Sequence, residues 1–281
     1  MKRDRQTRIA VVGLTGNTVF MGVPRFHTGG ETISAYDFHA ELGGKGFNQA
    51  VAAARQGAAV SFLTAVGEED AQKVRAFLAQ EGIAGCVVGK GKPSAHATVL
   101  TDGTGETRVT VFPGARLESA DVEEFAAAIA AADMLLLNNE VPDSVNIRAA
   151  AIAVAHGVKI AVNPAPAHLV PEVIRRAAFL FTPNAFEEAA LGDVSGEVVT
   201  TLGAKGCRIR STGEIIPPAD CGKVVDTTGA GDTFTATLAV HLAAGEPLAA
   251  SCRAANRAAG YSVTIRYVLP SLPLACDLLP H

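Results

Sequence analysis

Between residues 120 and 182 the chain alternates helical stretches with short apolar runs, and each run ends on polar residues. A helix expected over 120–131 leads to MLLLN (134–138). One over 144–156 leads to KIAVN (159–163), and one near 171–177 leads to FLFT (179–182). Buried strands that alternate with helices indicate a parallel sheet covered on both faces. No other feature narrows the fold as far: the expected class is α/β, a mainly parallel central sheet with helices on both sides. IAVVG (9–13), 60–65, 197–202 and 207–210 add strands, and 47–57, 68–80, 230–244 and 247–263 add helices. Ligands of such sheets sit beyond the carboxyl ends of the strands. Asn138-Asn139-Glu140, Asn163-Pro164, Thr182-Pro183-Asn184 and Thr201-Leu202-Gly203 all fall there. Turn formation accounts for Asn, Pro and Gly at any single strand end. Four successive polar ends favour a site.

Residues 17–42 contain alternating pieces such as ETISAYDFHAEL, and the segments 95–100 and 107–112 flank the turn DGTGE. These read as a small sheet with one wet face, including a hairpin. Of the 281 residues 48% are hydrophobic, enough for a sizeable core, and the expectation is one domain over 1–281. A net charge of −4 with scattered signs offers no basic stripe, so nucleic acid is not an expected partner. Five cysteines far apart suit neither a disulfide framework nor a zinc site, and seven histidines, His281 the last, show no metal-ligand spacing. No signal-peptide core follows the charged start, and no apolar run of about 18 residues appears. A cytoplasmic enzyme without a membrane partner is expected.

Several chemistries are excluded. The chain has no G-x-x-x-x-G-K-[ST], no G-x-G-x-x-G after the first strand, no G-x-S-x-G and no H-E-x-x-H. What it has is DTTGAGDTFT (226–235). Gly229, Ala230 and Gly231 permit a tight turn, and an apolar helix follows. The unpaired N–H groups of a helix start attract anions. Phosphoryl transfer needs mainly positioning and charge neutralisation, and Asp232 could take the proton of an attacking hydroxyl. In isolation the two aspartates could equally be helix caps. A second run, ELGGKGFNQAVAAARQG (41–57), puts Gly43, Gly44, Lys45, Gly46 and Asn48 at another helix start. Glycines admit a ligand close to the backbone, and an asparagine can both donate to and accept from sugar hydroxyls.

Together these two runs resemble the signatures of the ribokinase-like (PfkB) carbohydrate kinases, and within that family the chain most resembles the ribokinases. The likeness continues in order through GETI (30–33), LLLNNE (135–140), VNPAPA (162–167), TPNAFEEA (182–189), TLGAKG (201–206) and VTIRYVLPSLP (263–273). It implies ATP-dependent phosphorylation of the hydroxyl of a small, ribose-like sugar, with ATP and Mg2+ as cofactors. Asp232 matches the base, and Gly229, Ala230 and Gly231 match the anion hole. Gly43, Gly44, Lys45, Gly46, Asn48 and Glu140 match sugar contacts. Asn184, Thr201, Gly203, Lys205, Gly206 and Asn256 match the ATP site. Glu187 matches a residue that reaches Mg2+ through water. Asp226 and Thr228 match part of a monovalent-cation (K+) site. Residues 17–42 and 95–112 would form a lid sheet, which in the family often makes a homodimer contact.

Three departures stand out. Where the family usually has Asn-x-Asp, GLTGNTVF puts Gly16 and Thr18, so a carboxylate grip on the sugar is lost, with Asn17 adjacent but displaced. A charged hydrogen bond is worth roughly 1.5–3 kcal/mol. The join after Leu191, GDVSGE, is short for a parallel crossover and implies remodelling or altered strand order. Tyr267 stands where the cation loop usually has glycine, among Ser262, Ile265 and Ser271, and a glycine-type backbone there would be strained. A nucleoside kinase using Phe20, Phe26, Tyr36 or Phe38, a sugar-phosphate kinase, and a non-catalytic binding protein are the alternatives. Arg25, at the start of the lid segment, is read as solvated.

Overall fold

The computed structural model describes residues 5–279; residues 1–4 and 280–281, and with them His281, lie outside the described residues. The first half runs β1 (Arg8–Val12), β2 (Gly16–Gly22), β3 (Asp37–Gly43), α1 (Lys45–Arg55), β4 (Ala59–Gly67), α2 (Glu68–Gln80), β5 (Ala84–Lys90), β6 (Ala95–Thr101) and β7 (Thr107–Phe112). Next come α3 (Ala126–Ala131), β8 (Met134–Asn138), α4 (Asp143–Ala155), β9 (Lys159–Asn163), α5 (Glu172–Ala177), β10 (Leu180–Phe181) and α6 (Ala185–Leu191). The chain finishes with β11 (Glu197–Thr201), β12 (Cys207–Ile209), β13 (Ile215–Ile216), α7 (Ala230–Ala243) and α8 (Leu248–Ser262).

Among the described residues nine strands form one sheet in the order β13-β12-β11-β10-β9-β8-β1-β4-β5. Its pairs are parallel except β11–β12 and β12–β13. Successive side chains of a strand point to opposite faces, and the core divides accordingly. Ile9 and Val11 join Phe47, Phe62, Leu78 and Phe234 under α1, α2 and α7. Ala10 and Val12 join Leu63, Leu135, Leu137 and Ile129 under α3 and α4. A second, four-stranded sheet, β3-β2-β6-β7, forms the lid.

Local chemistry accounts for the differences from the sequence reading. The helix expected over 120–131 is a 3-10 turn (Ser119–Phe125) followed by α3. In a 3-10 helix residues i and i+3 eclipse, which buries Val122 and Phe125 together. Strand β3 begins only at Asp37, after a loop holding Pro24, Gly29 and Gly30, and α1 starts at Lys45, two residues before the expected position. The 191–198 join does not alter the strand order. The crossover from β10 to β11 spans residues 182–196 and contains α6, so the parallel pairing has the length it requires. Arg25 pairs with Glu31 within the lid loop.

At the carboxyl edge β1 comes within backbone contact of α1. A Cβ on Gly13 would lie 2.5 Å from Gly46 Cα and 2.9 Å from Asn138 Nδ2. Replacement of Gly13 by Ala is expected to cost about 1–3 kcal/mol, the usual range for overpacking. Gly91→Ala, where a Cβ meets nothing within 4 Å, should stay within about 0.5 kcal/mol of the parent. Urea unfolding of the two variants beside the parent measures both.

Candidate active site

The polar strand ends form a connected seam. Asn138 and Asn163 are paired in register at the ends of β8 and β9. Asn163 Nδ2 donates to Thr182 O at 2.9 Å, and the hydroxyls of Thr182 and Thr235 meet at 2.8 Å. Thr235 lies in α7, so the sheet edge and the α7 N-terminus are one hydrogen-bonded unit. Asn139 points elsewhere, donating to the Pro166 and His168 carbonyls.

Asp232 sits in the first turn of α7 and is 5% exposed. Asn48 Nδ2 donates to its Oδ2 at 2.9 Å, and Gln49 Nε2 donates to its Oδ1 at 3.0 Å. Gln49 also reaches Asn163 Oδ1 at 3.3 Å. An ionised carboxyl can accept about four hydrogen bonds, so it retains capacity for a hydroxyl proton. Asn48 Oδ1 and Gln49 Oε1 are buried without a partner, which leaves two strong acceptors beside the carboxylate. Gln49 was not singled out in the sequence; its adjacency to Asn48 at the start of an amphipathic helix was the available signal.

Gly229 precedes α7 in the left-handed region (φ 79°), and a Cβ there would strike Val268 at 2.7 Å. Among the described residues the N–H groups of Gly229, Gly231 and Asp232 have no acceptor. The Ala230 N–H turns back to Thr227 O at 3.3 Å. A Cβ built on Gly231 meets nothing within 4 Å, so the space before the turn is open. Free donors, open space and the positive end of a helix dipole make this turn electropositive.

The glycine run places Lys45. Gly44 caps α1 with φ 112°, and a Cβ on it would meet Leu14 O at 2.5 Å. The Lys45 N–H donates to Glu140 Oε2 at 2.6 Å. The Lys45 ammonium is held above its ordinary value chiefly by Asp232, against burial, with help from Glu140 and Glu187. Three carboxylates that are distant in sequence thus act on the Lys45 charge. Burial pushes the Glu140 carboxyl up to about 7, although Lys45 and its N–H pull it down.

Gly16 and Thr18 supply no carboxylate. A Cβ on Gly16 would lie 2.5 Å from Ala95 O, and the Thr18 hydroxyl occupies the place of a Cβ on Gly43. Asn17 does not compensate, because it faces away and bonds Asp70 at 3.0 Å and Lys73 at 3.3 Å. Of the aromatic candidates, Phe20 packs on Tyr267, Phe26 lies under Arg108, and Tyr36 and Phe38 are exposed.

Asn184 and Glu187 cap α6 reciprocally. One Glu187 oxygen accepts the Asn184 N–H at 2.8 Å, and the other has no partner among the described residues. Mg2+ is commonly bound through one or two carboxylates plus substrate phosphates, and the unpaired Glu187 oxygen fits that donor set. No three His, Cys, Asp or Glu among the described residues form a metal cluster. Asp226 accepts the Thr228 N–H at 2.9 Å on one oxygen and the Tyr267 N–H at 3.0 Å on the other, which leaves a lone pair on each for a monovalent cation. Thr201 and the turn Gly203–Lys205 end β11, with Lys205 exposed. At Gly206 (φ 82°) a Cβ would strike Ile216 O. Asn256 donates to the Ile216 and Pro217 carbonyls, at 3.1 and 2.8 Å, and so fixes the wall beside that turn.

Residues 6–274 match the profile described as pfkB family carbohydrate kinase. The chain is 32% identical over 296 residues to a ribokinase of Haemophilus influenzae, covering 96% of this chain and 97% of that one. It is 33% identical over 262 residues to a bifunctional ribokinase/ribose-5-phosphate isomerase A of Fructilactobacillus sanfranciscensis. There the match takes 84% of this chain but spans only 48% of the relative. Among solved structures, Arabidopsis thaliana ribokinase complexed with ribose and ATP superposes with a TM-score of 0.85 at 26% identity, over 98% of each chain.

The raised Glu140 carboxyl has a consequence for stability. The folded site favours the protonated form, so this contribution is complete below about 4.5 and is lost as pH rises through about 7. Glu140→Gln should abolish that decline, read as the difference in thermal midpoint between parent and variant across the same range.

Proposed function

The chain belongs to the pfkB family of carbohydrate kinases and is an ATP-dependent phosphotransferase to a sugar hydroxyl; from that premise we propose that its acceptor is a ribose-like pentose and that Asp232 is the base. The observation that carries this reading is the Asp232 carboxylate beside the unpaired N–H groups of the 229–232 turn. In this proposal the acceptor lies against Gly43, Gly44, Lys45, Gly46 and Asn48. A sugar hydroxyl donates to the unpaired Asn48 Oδ1, and Glu140 takes another. Lys45, whose charge Asp232, Glu140 and Glu187 favour, neutralises charge near the transferring group.

Asp232 withdraws the hydroxyl proton as the oxygen approaches the γ-phosphorus. The Gly229, Gly231 and Asp232 amides take up the charge that develops on the phosphoryl oxygens. Glu187 would hold Mg2+ through water, and the ion would offset charge between the β- and γ-phosphates. Thr201, Gly203, Lys205, Gly206 and Asn256 would border the nucleotide. A K+ ion, where one binds, would be held around Asp226 and Thr228. The lid excludes water, the competing acceptor.

Two further readings go with this proposal. All six residues of β7 are exposed, Val109, Val111 and Phe112 among them, which supports a homodimer through the lid edge. ATP as the donor supports a cytoplasmic location, and no helix among the described residues is long and apolar enough to cross a membrane.

The test is coupled ADP release with ATP, Mg2+ and a panel of pentoses, hexoses, nucleosides and sugar phosphates. A pentose should give the highest kcat/KM. Asp232→Asn should lower kcat by roughly 10²–10⁴-fold, the usual range for a lost general base. Undiminished turnover in that variant would reject the assignment.

A further inference from the structure

Tyr267 is the one non-glycine residue with a left-handed backbone among the described residues, at φ 66°. A bulky side chain adopts that region only when its surroundings impose it. Here the surroundings belong to the lid. The Tyr267 ring stacks on His39, with centroids 3.9 Å apart and planes 16° apart, and it tilts against Phe20 at 5.4 Å. Its hydroxyl donates to Asp37 Oδ2 at 2.9 Å, and the same oxygen receives Arg266 at 2.7 Å. The next two N–H groups, of Val268 and Leu269, donate to Glu41 at 2.9 and 3.3 Å, and Glu41 in turn meets His39 Nε2 at 3.1 Å. Asp37, His39 and Glu41 are alternate residues of β3 and share one face of the lid sheet.

The opposite side of the same loop holds the phosphate-facing turn. The Tyr267 N–H donates to Asp226 Oδ2, and Asp226 Oδ1 accepts the Thr228 N–H. Val268 fills the space into which a Cβ on Gly229 would project. Residues 267–269 therefore touch the lid strand on one side and the residues that shape the 229–232 turn on the other. The strained φ is what lets one residue present its ring to the lid and its N–H to Asp226.

We propose that Tyr267 is a positioning residue that locks the seated lid to the 226–232 turn, so that the amides reach their working geometry only when the lid covers the acceptor. This rests on the reading that those amides face the transferring phosphoryl group. With the lock broken, the turn still engages ATP while the lid opens independently. Water then attacks the γ-phosphorus, the bond to the bridging oxygen breaks, ADP and inorganic phosphate leave, and the surplus proton passes to solvent.

Two variants separate this role from simple packing. Tyr267→Phe keeps the ring and loses the bond to Asp37; Tyr267→Gly removes the ring and also relieves the backbone. The full chain is assayed with ATP and Mg2+, with its preferred sugar and without any, recording ADP, phosphorylated sugar and inorganic phosphate. Tyr267→Phe should lower kcat for sugar about tenfold or more, the worth of one hydrogen bond to a carboxylate, with Tyr267→Gly lower still. KM for ATP should hold, and the share of ADP released with free phosphate should rise in both. Full coupling in Tyr267→Phe overturns the proposal, whatever happens to the unfolding temperature or to Tyr267→Gly. Asp232→Asn serves as the control. If it is inactive while both Tyr267 variants stay coupled, the positioning role alone fails; if it turns over like the parent, the reading of the turn fails and takes the proposal with it.

Discussion

A buried carboxylate without partners costs several kcal/mol, and Asp232 is buried in the first turn of α7. Its partners come from Asn48 and Gln49, more than 180 residues earlier in the chain. That requirement ties α7 to α1. Gln49 extends the tie to Asn163 at the end of β9, and Thr235 ties α7 to Thr182 after β10. Lys45 adds a buried cation whose charge is favoured by Asp232, Glu140 and Glu187. The placement of one carboxylate thus fixes how two helices and two strand ends meet. The packing beneath, Phe47 and Phe62 on one face and Leu135 and Leu137 on the other, keeps those elements in register.

Much of this architecture could be read from the residues. MLLLN and KIAVN are strands over the expected ranges, and their asparagines do face the site. Helix α2 matches its expected span. What escaped was of two kinds. Strand β5, with Gly85 and Gly89 inside it, carries no clean alternation and is a strand because β4 lies beside it. Helix α6 escaped although Asn184-x-x-Glu187 is a capping-box sequence; the shortness of the join after Leu191 drew attention from the residues before it. The long-range partners at the site were beyond any local pattern. That Gln49 meets Asp232, or that Asn17 turns toward Asp70, depends on a fold that brings distant segments together.

The lid is bound to the rest of the protein by more than the four chain segments that enter and leave it. Asp37, His39 and Glu41 alternate along β3, a spacing that marks one face in any strand, but their partners lie over 220 residues later. The carboxylate missing at Thr18 changes the acceptor end in the opposite sense. Gly16 lies against the Ala95 backbone and Gly43 against the Thr18 hydroxyl, and Glu140 accepts the Lys45 N–H of the glycine run.

Strand β7 has one side of its backbone unpaired, and Arg108 is the only charged residue among Thr107–Phe112. Such an edge is a template for indiscriminate strand addition, and a lone arginine is a thin gatekeeper. A self-associated lid would hide that edge, so a substitution that weakened such association would leave it exposed to strand addition. Strand addition at that edge and any pairing of two lids would compete for the same six residues.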